Sequence, residues 1–138
     1  MRMMKWGAAL LLLILAGCSA APQHEDEAAA MVNKLYAALQ QQHWNAALDM
    51  YGKQFYAGHQ RDAWARQLKS IQQKLGPMQG RQLIFKRKDP RFHYDVYIFS
   101  YRVAFARGES TDVVTVYQDV SGGDLAIVGH KITLKAGG

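Results

Sequence analysis

Apolar and polar residues recur with two different spacings along the chain, and the spacing changes near Gly76-Pro77. From Ala28 onward, apolar residues recur every three or four positions, which places them on one face of an α-helix. Beyond Pro77 the spacing becomes two, as in strands that are buried on one face. The pattern therefore predicts an α+β domain in which the helices precede the strands.

Three helices are predicted before Gly76. The first opens at residues 25 to 27, because the acids Glu25, Asp26 and Glu27 favour the positive end of the helix dipole. A second, short helix begins at Trp44 and ends near Gly52. The third has Asp62 as its expected N-cap and stops at Gly76-Pro77. The residues expected to face the core are Ala28, Met31, Val32, Leu35, Leu39, Trp44, Ala47, Leu48, Tyr51, Trp64, Leu68, Ile71 and Leu75.

Four strands are predicted after Pro77. The first runs from residue 78 to a turn at Asp89-Pro90, with Leu83 and Phe85 alternating with polar neighbours. The strongest covers residues 93 to 106 and should meet the helices with one aromatic face. The other two, 112 to 120 and 125 to 134, are joined by a hairpin at residues 121 to 124. The aromatic face consists of Tyr97, Phe99, Tyr101, Val103 and Phe105.

The N-terminal stretch reads as a secretory signal. Arg2 and Lys5 precede an uncharged, leucine-rich run, residues 6 to 16, and a charged start before an apolar run is typical of such signals. The run is shorter than the roughly 20 residues that a membrane-spanning helix needs. An ordinary signal cleaved near Ala20-Ala21 is one interpretation.

The end of that run, Leu15-Ala16-Gly17-Cys18, resembles the lipobox of bacterial lipoproteins. The resemblance implies cleavage before Cys18, a diacylglycerol group on its thiol and a further acyl chain, such as palmitate, on the new amine. Ser19 follows the cysteine where inner-membrane lipoproteins of enteric bacteria carry Asp. The resemblance therefore implies the outer membrane, with the domain facing the periplasm of the cell envelope.

The predicted organisation is a signal peptide at 1–17, the lipidated cysteine with a short tether at 18–24, and one domain at 25–138. Of 138 residues, 121 remain after cleavage, which suffices for one hydrophobic core. Cys18 is the only cysteine. Disulfides, thiolate metal sites and cysteine nucleophiles are therefore excluded from the mature domain.

The chain is basic, with 17 Lys and Arg against 11 Asp and Glu and a net charge of +6. An envelope location makes nucleic acid an unexpected partner and leaves anionic lipid head groups or acidic envelope proteins. Cations gather on the first strand and its turn, where they either protect a sheet edge from other strands or bind an anionic partner. These cations are Arg81, Lys86, Arg87, Lys88 and Arg91.

Several short motifs carry a family resemblance. Leu75-Gly76-Pro77, then Arg81, the long aromatic strand, residues 109 to 116 (ESTDVVTV) and residues 128 to 132 (VGHKI) together resemble a bacterial envelope domain family of unknown function. That family is similar to the nuclear transport factor 2-like, or cystatin-like, superfamily. The resemblance implies three N-terminal helices packed on a curved four-stranded antiparallel sheet around a cone-shaped pocket. Leu125 and His130 stand where the family carries Trp and Tyr.

Candidate pocket residues follow from that fold. Asp95 shares the face of Tyr97, Phe99 and Tyr101, so it is a candidate general base at the rim of the pocket, although a lone rim carboxylate is more often solvated. His130 is an even number of positions from Val128, Ile132 and Leu134, so it lies on the same face of the strand as these apolar residues. That position favours a hydrogen-bonded core histidine over a residue that binds a ligand. The possible pocket is Asp95, Tyr97, Phe99, Tyr101 and His130.

The remaining polar candidates indicate little chemistry. Glu109 and Asp112 are most simply turn residues at the start of a strand, and His93 has no partner fixed by spacing. His24, His43 and His59 lack the spacing of a metal site, so neither a metal nor a cofactor is predicted.

These observations favour a membrane-anchored bacterial lipoprotein whose domain is a non-catalytic binding or assembly module of the cell envelope. Its expected partners are the membrane, through the N-terminal lipid, and envelope proteins or anionic lipid head groups. The alternative is a small-molecule enzyme or ligand carrier that uses the cone-shaped pocket.

Overall fold

The computed structural model describes residues 23–91, 94–119 and 123–135. Helices precede strands, which confirms the predicted α+β class. The predicted signal peptide, Cys18 and most of the tether lie outside the described residues, as does His93. The elements are α1 (Gln23–Gln40), α2 (Trp44–Leu48), α3 (Lys53–Gly58), α4 (Arg61–Leu75), β1 (Met78–Arg91), β2 (Tyr94–Phe105), β3 (Gly108–Asp119) and β4 (Ala126–Leu134).

The strands form one open antiparallel sheet in the order β1-β2-β3-β4. This confirms the predicted four-stranded antiparallel sheet. Sequential strands are neighbours throughout, so β1 and β4 are its two edges, and β1 pairs with β2 alone among the described strands.

The helices cover one face of the sheet. On β2, Tyr97, Phe99 and Tyr101 are buried, whereas the alternate residues Val96 and Ile98 stay partly exposed. This is the predicted aromatic face, and it follows from the period-two alternation of strand side chains. The helices contribute Val32, Leu35, Tyr36, Leu39, Leu48, Phe55, Trp64 and Leu68 to the same core.

The end of α4 is as predicted. Gly76 has a φ of 84° and donates its backbone N–H to the carbonyl of Gln72 across 2.7 Å. Glycine adopts that left-handed region at little cost, whereas a side chain there is strained. A Cβ on Gly76 would also lie 2.9 Å from the Cβ of Ala106. The chain therefore turns sharply from α4 into β1.

The helix count of three is wrong, because the residues that the structure describes before β1 already form four helices. The additional one, α3, has six residues, which is too short for a helical period to be recognised in the sequence. The predicted cap is also wrong, since α4 begins at Arg61 after Gln60, and Asp62 lies in its first turn.

Strand β1 also departs from the prediction. It continues through Asp89-Pro90 to Arg91, with Pro90 opposite Asp95, so the predicted turn is too early. A register shift lies between Leu83 and Phe85. The bulge exposes three consecutive apolar side chains, Leu83 at 46%, Ile84 at 50% and Phe85 at 50%.

Candidate functional site: a buried polar cluster and a basic groove

A carboxylate lies in the core with hydrogen-bond donors on both of its oxygens. The hydroxyl of Tyr36 donates to Oδ2 of Asp112 across 2.6 Å, and the hydroxyl of Ser110 donates to Oδ1 across 2.7 Å. Burying an ionised carboxylate is costly unless it is hydrogen bonded. The two hydroxyls therefore compensate part of that cost.

His130 extends the cluster. Its Nε2 lies 3.0 Å from Oδ2 of Asp112, and its Nδ1 lies 2.7 Å from the hydroxyl of Tyr51. With the proton on Nε2, the imidazole donates to Asp112 and accepts from Tyr51, so both ring nitrogens are satisfied. The His130 side chain is 0% exposed and that of Asp112 is 4% exposed. The cluster is thus a closed hydrogen-bonded chain, Tyr51–His130–Asp112–Tyr36, with Ser110 at the carboxylate.

The strand register explains how these residues meet. Ser110, Asp112, Val114 and Val116 alternate on the buried face of β3, and Val114 pairs with His130 of β4. The helical side supplies the two phenols, Tyr36 from α1 and Tyr51 from the segment after α2, where Tyr51 bridges to Ile127 of β4.

Burial keeps both phenols protonated. It raises the pKa of Tyr36 well above its ordinary value, and the negative charge of Asp112 raises it further. Burial likewise raises the pKa of Tyr51. A phenol that stays neutral can donate a hydrogen bond over the whole physiological pH range. The cluster is therefore a stable donor–acceptor arrangement at neutral pH.

Access to the cluster is restricted. A cavity of about 20 Å³ adjoins it, lined by Gln72, Ser110 and Asp112 together with apolar side chains of the core. A cavity needs roughly 10 to 15 Å³ to hold one water molecule, so this space fits about one. The amide oxygen of Gln72 has no hydrogen-bond partner among the described residues. The interior at this point is filled by side chains and leaves no room for an organic substrate.

The predicted rim base does not join this cluster. Asp95 lies opposite Gln118, six positions along β2 from Tyr101, which corresponds to about 20 Å of strand. Its carboxylate is 3.6 Å from the amine of Lys88 and partly exposed. Of the predicted pocket residues, Tyr101 and His130 both flank Tyr36, with ring centroids at 5.2 and 6.0 Å. Tyr97 and Phe99 are buried core residues.

Sequence reasoning missed most of the cluster. The interpretation of Asp112 as a turn residue is wrong, because β3 already begins at Gly108 and Asp112 lies within it. Asp112 alternates with Val114 and Val116 in the sequence, and this spacing could have indicated that Asp112 lies on the buried face of the strand. Tyr36 and Tyr51 belong to helical segments with ordinary apolar spacing. Nothing in the sequence therefore indicated that their hydroxyls form hydrogen bonds with Asp112 and His130. The burial of His130 is as its parity predicted.

An open groove lies beside the cluster, between α1 and β1, with a volume of about 450 Å³. Residues of α1 form one wall, residues of β1 the other, and aromatic rings of β2 the floor. We call this the α1–β1 groove, and its lining residues are Ala29, Asn33, Arg81, Leu83, Lys86, Phe99 and Tyr101.

Arg81 lies inside this groove. Its guanidinium carbon is 4.7 Å from the ring centre of Tyr36 and 5.1 Å from that of Tyr101, and it donates a hydrogen bond to Oδ1 of Asn33. Burial raises the pKa of the Tyr101 hydroxyl, and the nearby Arg81 cation offsets part of that rise. Arg81 is opposite Val103, an inward residue of β2. Its side chain therefore lies on the sheet face that the helices cover, as does that of Lys86, which is opposite Phe99.

The other predicted cations differ among themselves. Lys86 forms an ion pair with Glu25 of α1 at 3.1 Å, and Lys88 pairs with Asp95. Arg87 is exposed and lies opposite Ile98, on the sheet face away from the helices. The side chain of Arg91 lies outside the described residues. We call Lys86, Arg87 and Lys88 the basic margin.

Within the described ranges, no group of three or more His, Cys, Asp or Glu side chains is placed to hold a metal ion. In the same ranges, no helix combines the length and the apolar character needed to cross a bilayer.

Solved structures with a similar fold exist. The chain is similar to Bd1075 of Bdellovibrio bacteriovorus, with a TM-score of 0.57 and 15% identity, over 80% of this chain and 40% of that protein. It spans only about two fifths of that protein's length. An NTF2-like protein of unknown function from Pseudomonas putida KT2440 gives a TM-score of 0.55 and 13% identity, covering 80% of this chain and 85% of that one.

These similarities support the NTF2-like fold and, at such identities, the fold alone. No family model matches the sequence, and no curated protein matches it.

Proposed function

We propose that the chain is a bacterial envelope lipoprotein, anchored through Cys18, whose domain serves as a non-catalytic binding or assembly module. The closed interior carries this proposal. The polar cluster around Asp112 adjoins a cavity of only about 20 Å³, whereas the basic margin is at the surface. Turnover requires a reacting atom within hydrogen-bond reach of the acid or base, and no organic substrate fits there.

The partner that we propose is anionic, either a lipid surface or an acidic envelope protein. Lys86 and Lys88 each pair with one carboxylate, and Arg87 has no ion pair among the described residues. Residues 18 to 22, which precede α1, span at most about 18 Å when extended, so an anchored domain stays close to its membrane. Cations that come within a Debye length, about 10 Å, of an anionic membrane surface are attracted by about 1 kcal/mol each. We expect the outer membrane, with the domain in the periplasm.

An enzyme or ligand carrier is the second candidate, and the pairing of Asp112 with Tyr36 and His130 favours it. Buried carboxylates beside tyrosines serve as acid–base groups in some enzymes. It ranks second because His130 is fully buried. A measurable turnover that is lost in Asp112→Asn, while the fold survives, would reverse the ranking.

The anchor is tested by labelling with a fatty-acid probe in a bacterial host, followed by membrane fractionation. The chain should take up label and sediment with membranes, and Cys18→Ser should do neither, because the thiol is the acceptor. Stable anchoring takes two lipid signals, which the three expected acyl chains exceed. A wild-type chain without label contradicts the anchor.

Binding is tested by neutralising the basic margin with Lys86→Gln, Arg87→Gln and Lys88→Gln. Binding to vesicles that contain phosphatidylglycerol, and recovery of acidic envelope proteins, should fall. Both should weaken between 0.1 and 1 M salt, as the Debye length shrinks from about 10 to about 3 Å.

The matched control changes the same charge elsewhere, with Lys53→Gln, Arg66→Gln and Lys69→Gln on exposed positions of α3 and α4. This control should retain binding. Equal losses in the two triple variants would show that only net charge acts, and unchanged binding in the first would show that the margin is a solvated edge.

A further inference from the structure

The α1–β1 groove has the volume of a small-molecule site. Its volume of about 450 Å³ lies within the roughly 300 to 1,000 Å³ that is typical of ligand pockets. The side chains that α1 contributes to its wall of the groove, Ala29 and Asn33, are small and leave space in the groove. Leu83 on the other wall is 46% exposed, although it is a large apolar residue. A ligand that covered Leu83 would remove apolar surface from water.

Arg81 gives the groove a fixed cation. Stacking on Tyr36 and Tyr101 and the bond to Asn33 hold the guanidinium in one place. Asn33 is uncharged, and none of the ion pairs between described residues involves Arg81. Its Nε is buried and has no acceptor among the described residues. Such a donor costs free energy, and a small shift of the guanidinium toward an arriving oxyanion would recover it.

Lys86 adds a second cation on the same wall. Its amine is held by Glu25 at 3.1 Å, and the Lys86 side chain remains more than half exposed. Glu25 therefore competes with any anion that approaches Lys86. The groove combines one uncompensated cation, one partly compensated cation and an apolar wall.

We propose that the α1–β1 groove binds a small amphiphilic anion, with its carboxylate or phosphate group on Arg81 and Lys86 and its apolar part along Leu83 and the β2 rings. The planar guanidinium fork matches both oxyanions and can bind them with two hydrogen bonds. Because Arg81 is already held in place, little side-chain entropy is lost on binding. The site goes beyond the proposed function, since it takes a soluble ligand in a concave groove and does not require the basic margin's contact with a surface.

The test uses the full-length chain in nanodiscs of neutral phosphatidylcholine, titrated with butyl phosphate. Binding is measured by calorimetry, and the Nε–H resonance of Arg81 is followed by NMR after arginine labelling. Inorganic phosphate carries only the anionic group of the proposed ligand, and butanol carries only its apolar part. We expect butyl phosphate to bind at least about tenfold more tightly than either and to shift the Arg81 resonance, since charge-assisted hydrogen bonds and apolar contact act together.

Arg81→Gln should weaken butyl phosphate at least about tenfold, the effect of about 1.4 kcal/mol. Arg87→Gln is the matched control, because it removes the same charge from the same strand on the opposite face, and it should change the affinity less than about twofold. Glu25→Gln should tighten binding by releasing Lys86, which keeps the test decisive if Arg81→Gln does not fold.

Equal losses in Arg81→Gln and Arg87→Gln, an unmoved Arg81 resonance, or equal affinities for butyl and inorganic phosphate would overturn the proposal. A second arm replaces the neutral lipid with phosphatidylglycerol. A shift of the Arg81 resonance there would identify a lipid head group as the source of the anion, and a shift with butyl phosphate alone would identify a free ligand. Arg87→Gln combined with Lys88→Gln leaves both cations of the groove, Arg81 and Lys86, in place. Loss of vesicle binding in this double variant, with butyl phosphate binding intact, separates failure of the two proposals.

Discussion

Tyr36 and Asp112 are 76 positions apart in the chain, yet the hydroxyl of one donates to the carboxylate of the other across 2.6 Å. This bond joins α1 to β3, and its carboxylate also receives Ser110 and His130. A buried network in which each member is satisfied favours one arrangement of helices on the sheet, because shifted arrangements leave polar groups unpaired.

Tyr36→Phe should lower the free energy of unfolding by about 1 to 3 kcal/mol, because Asp112 loses a donor while it stays buried. Urea unfolding at pH 7 measures the change. Tyr97→Phe is the matched control, since the Tyr97 hydroxyl is also buried but has no partner among the described residues. That control should be neutral or stabilising. Equal losses in the two variants would mean that the bond to Asp112 contributes nothing.

The sequence predicted features that repeat over many residues. The alternation on β2 spans five inward positions, so its aromatic face and the order of helices before strands followed directly. Gly76 was recognised because glycine followed by proline stops a helix whatever the fold.

The site depended on details that no local pattern contains. Asp112 acquires its role from Tyr36 and His130, which reach it only in the folded chain. The bulge between Leu83 and Phe85 reverses the parity of β1, so Arg81 and Lys86 both face α1 although they are five positions apart. Without that shift, one of them would point away from the groove.

Alkaline pH should destabilise the domain. The unfolded chain releases tyrosine protons near pH 10, whereas burial keeps Tyr36 and Tyr51 protonated in the folded state. Above about pH 10 the unfolded state therefore binds fewer protons, and the free energy of unfolding falls as the pH rises. Each tyrosine contributes a slope of at most about 1.4 kcal/mol per pH unit.

Urea unfolding from pH 8 to 11.5 measures that slope, and Tyr36→Phe combined with Tyr51→Phe should reduce it. The double variant should be least stable relative to the parent below pH 10, and the two curves should converge as the pH rises. A slope that stays the same in the double variant would contradict the assignment to these two phenols.

Gly76→Ala should cost at least about 1 kcal/mol, because a side chain is strained at a φ of 84° and the new Cβ would crowd that of Ala106. Gly58→Ala is the matched control. Gly58 ends α3, and a Cβ there meets no atom within 4 Å. The control should be neutral or stabilising by up to about 1 kcal/mol. Thermal unfolding of both variants measures the difference, and a Gly76→Ala variant as stable as the parent would contradict the strained turn.

Trp64 should be among the most costly core residues to truncate. It is 3% exposed, and its ring lies 5.1 Å from Phe55, 5.8 Å from Tyr51 and 5.5 Å from His130, measured between ring centres. Trp64→Ala should lower the free energy of unfolding by about 3 to 5 kcal/mol, since a large cavity replaces the indole.

Trp44→Ala provides the comparison, because Trp44 begins α2 and is only partly buried. This substitution should lower the free energy of unfolding clearly less than Trp64→Ala does. Urea unfolding of residues 24–138 and of both variants tests this, together with the expectation that this segment folds as a single domain. A loss below about 1 kcal/mol for Trp64→Ala, as for a surface substitution, would mean that α4 does not pack its Trp64 face against the cluster that holds His130.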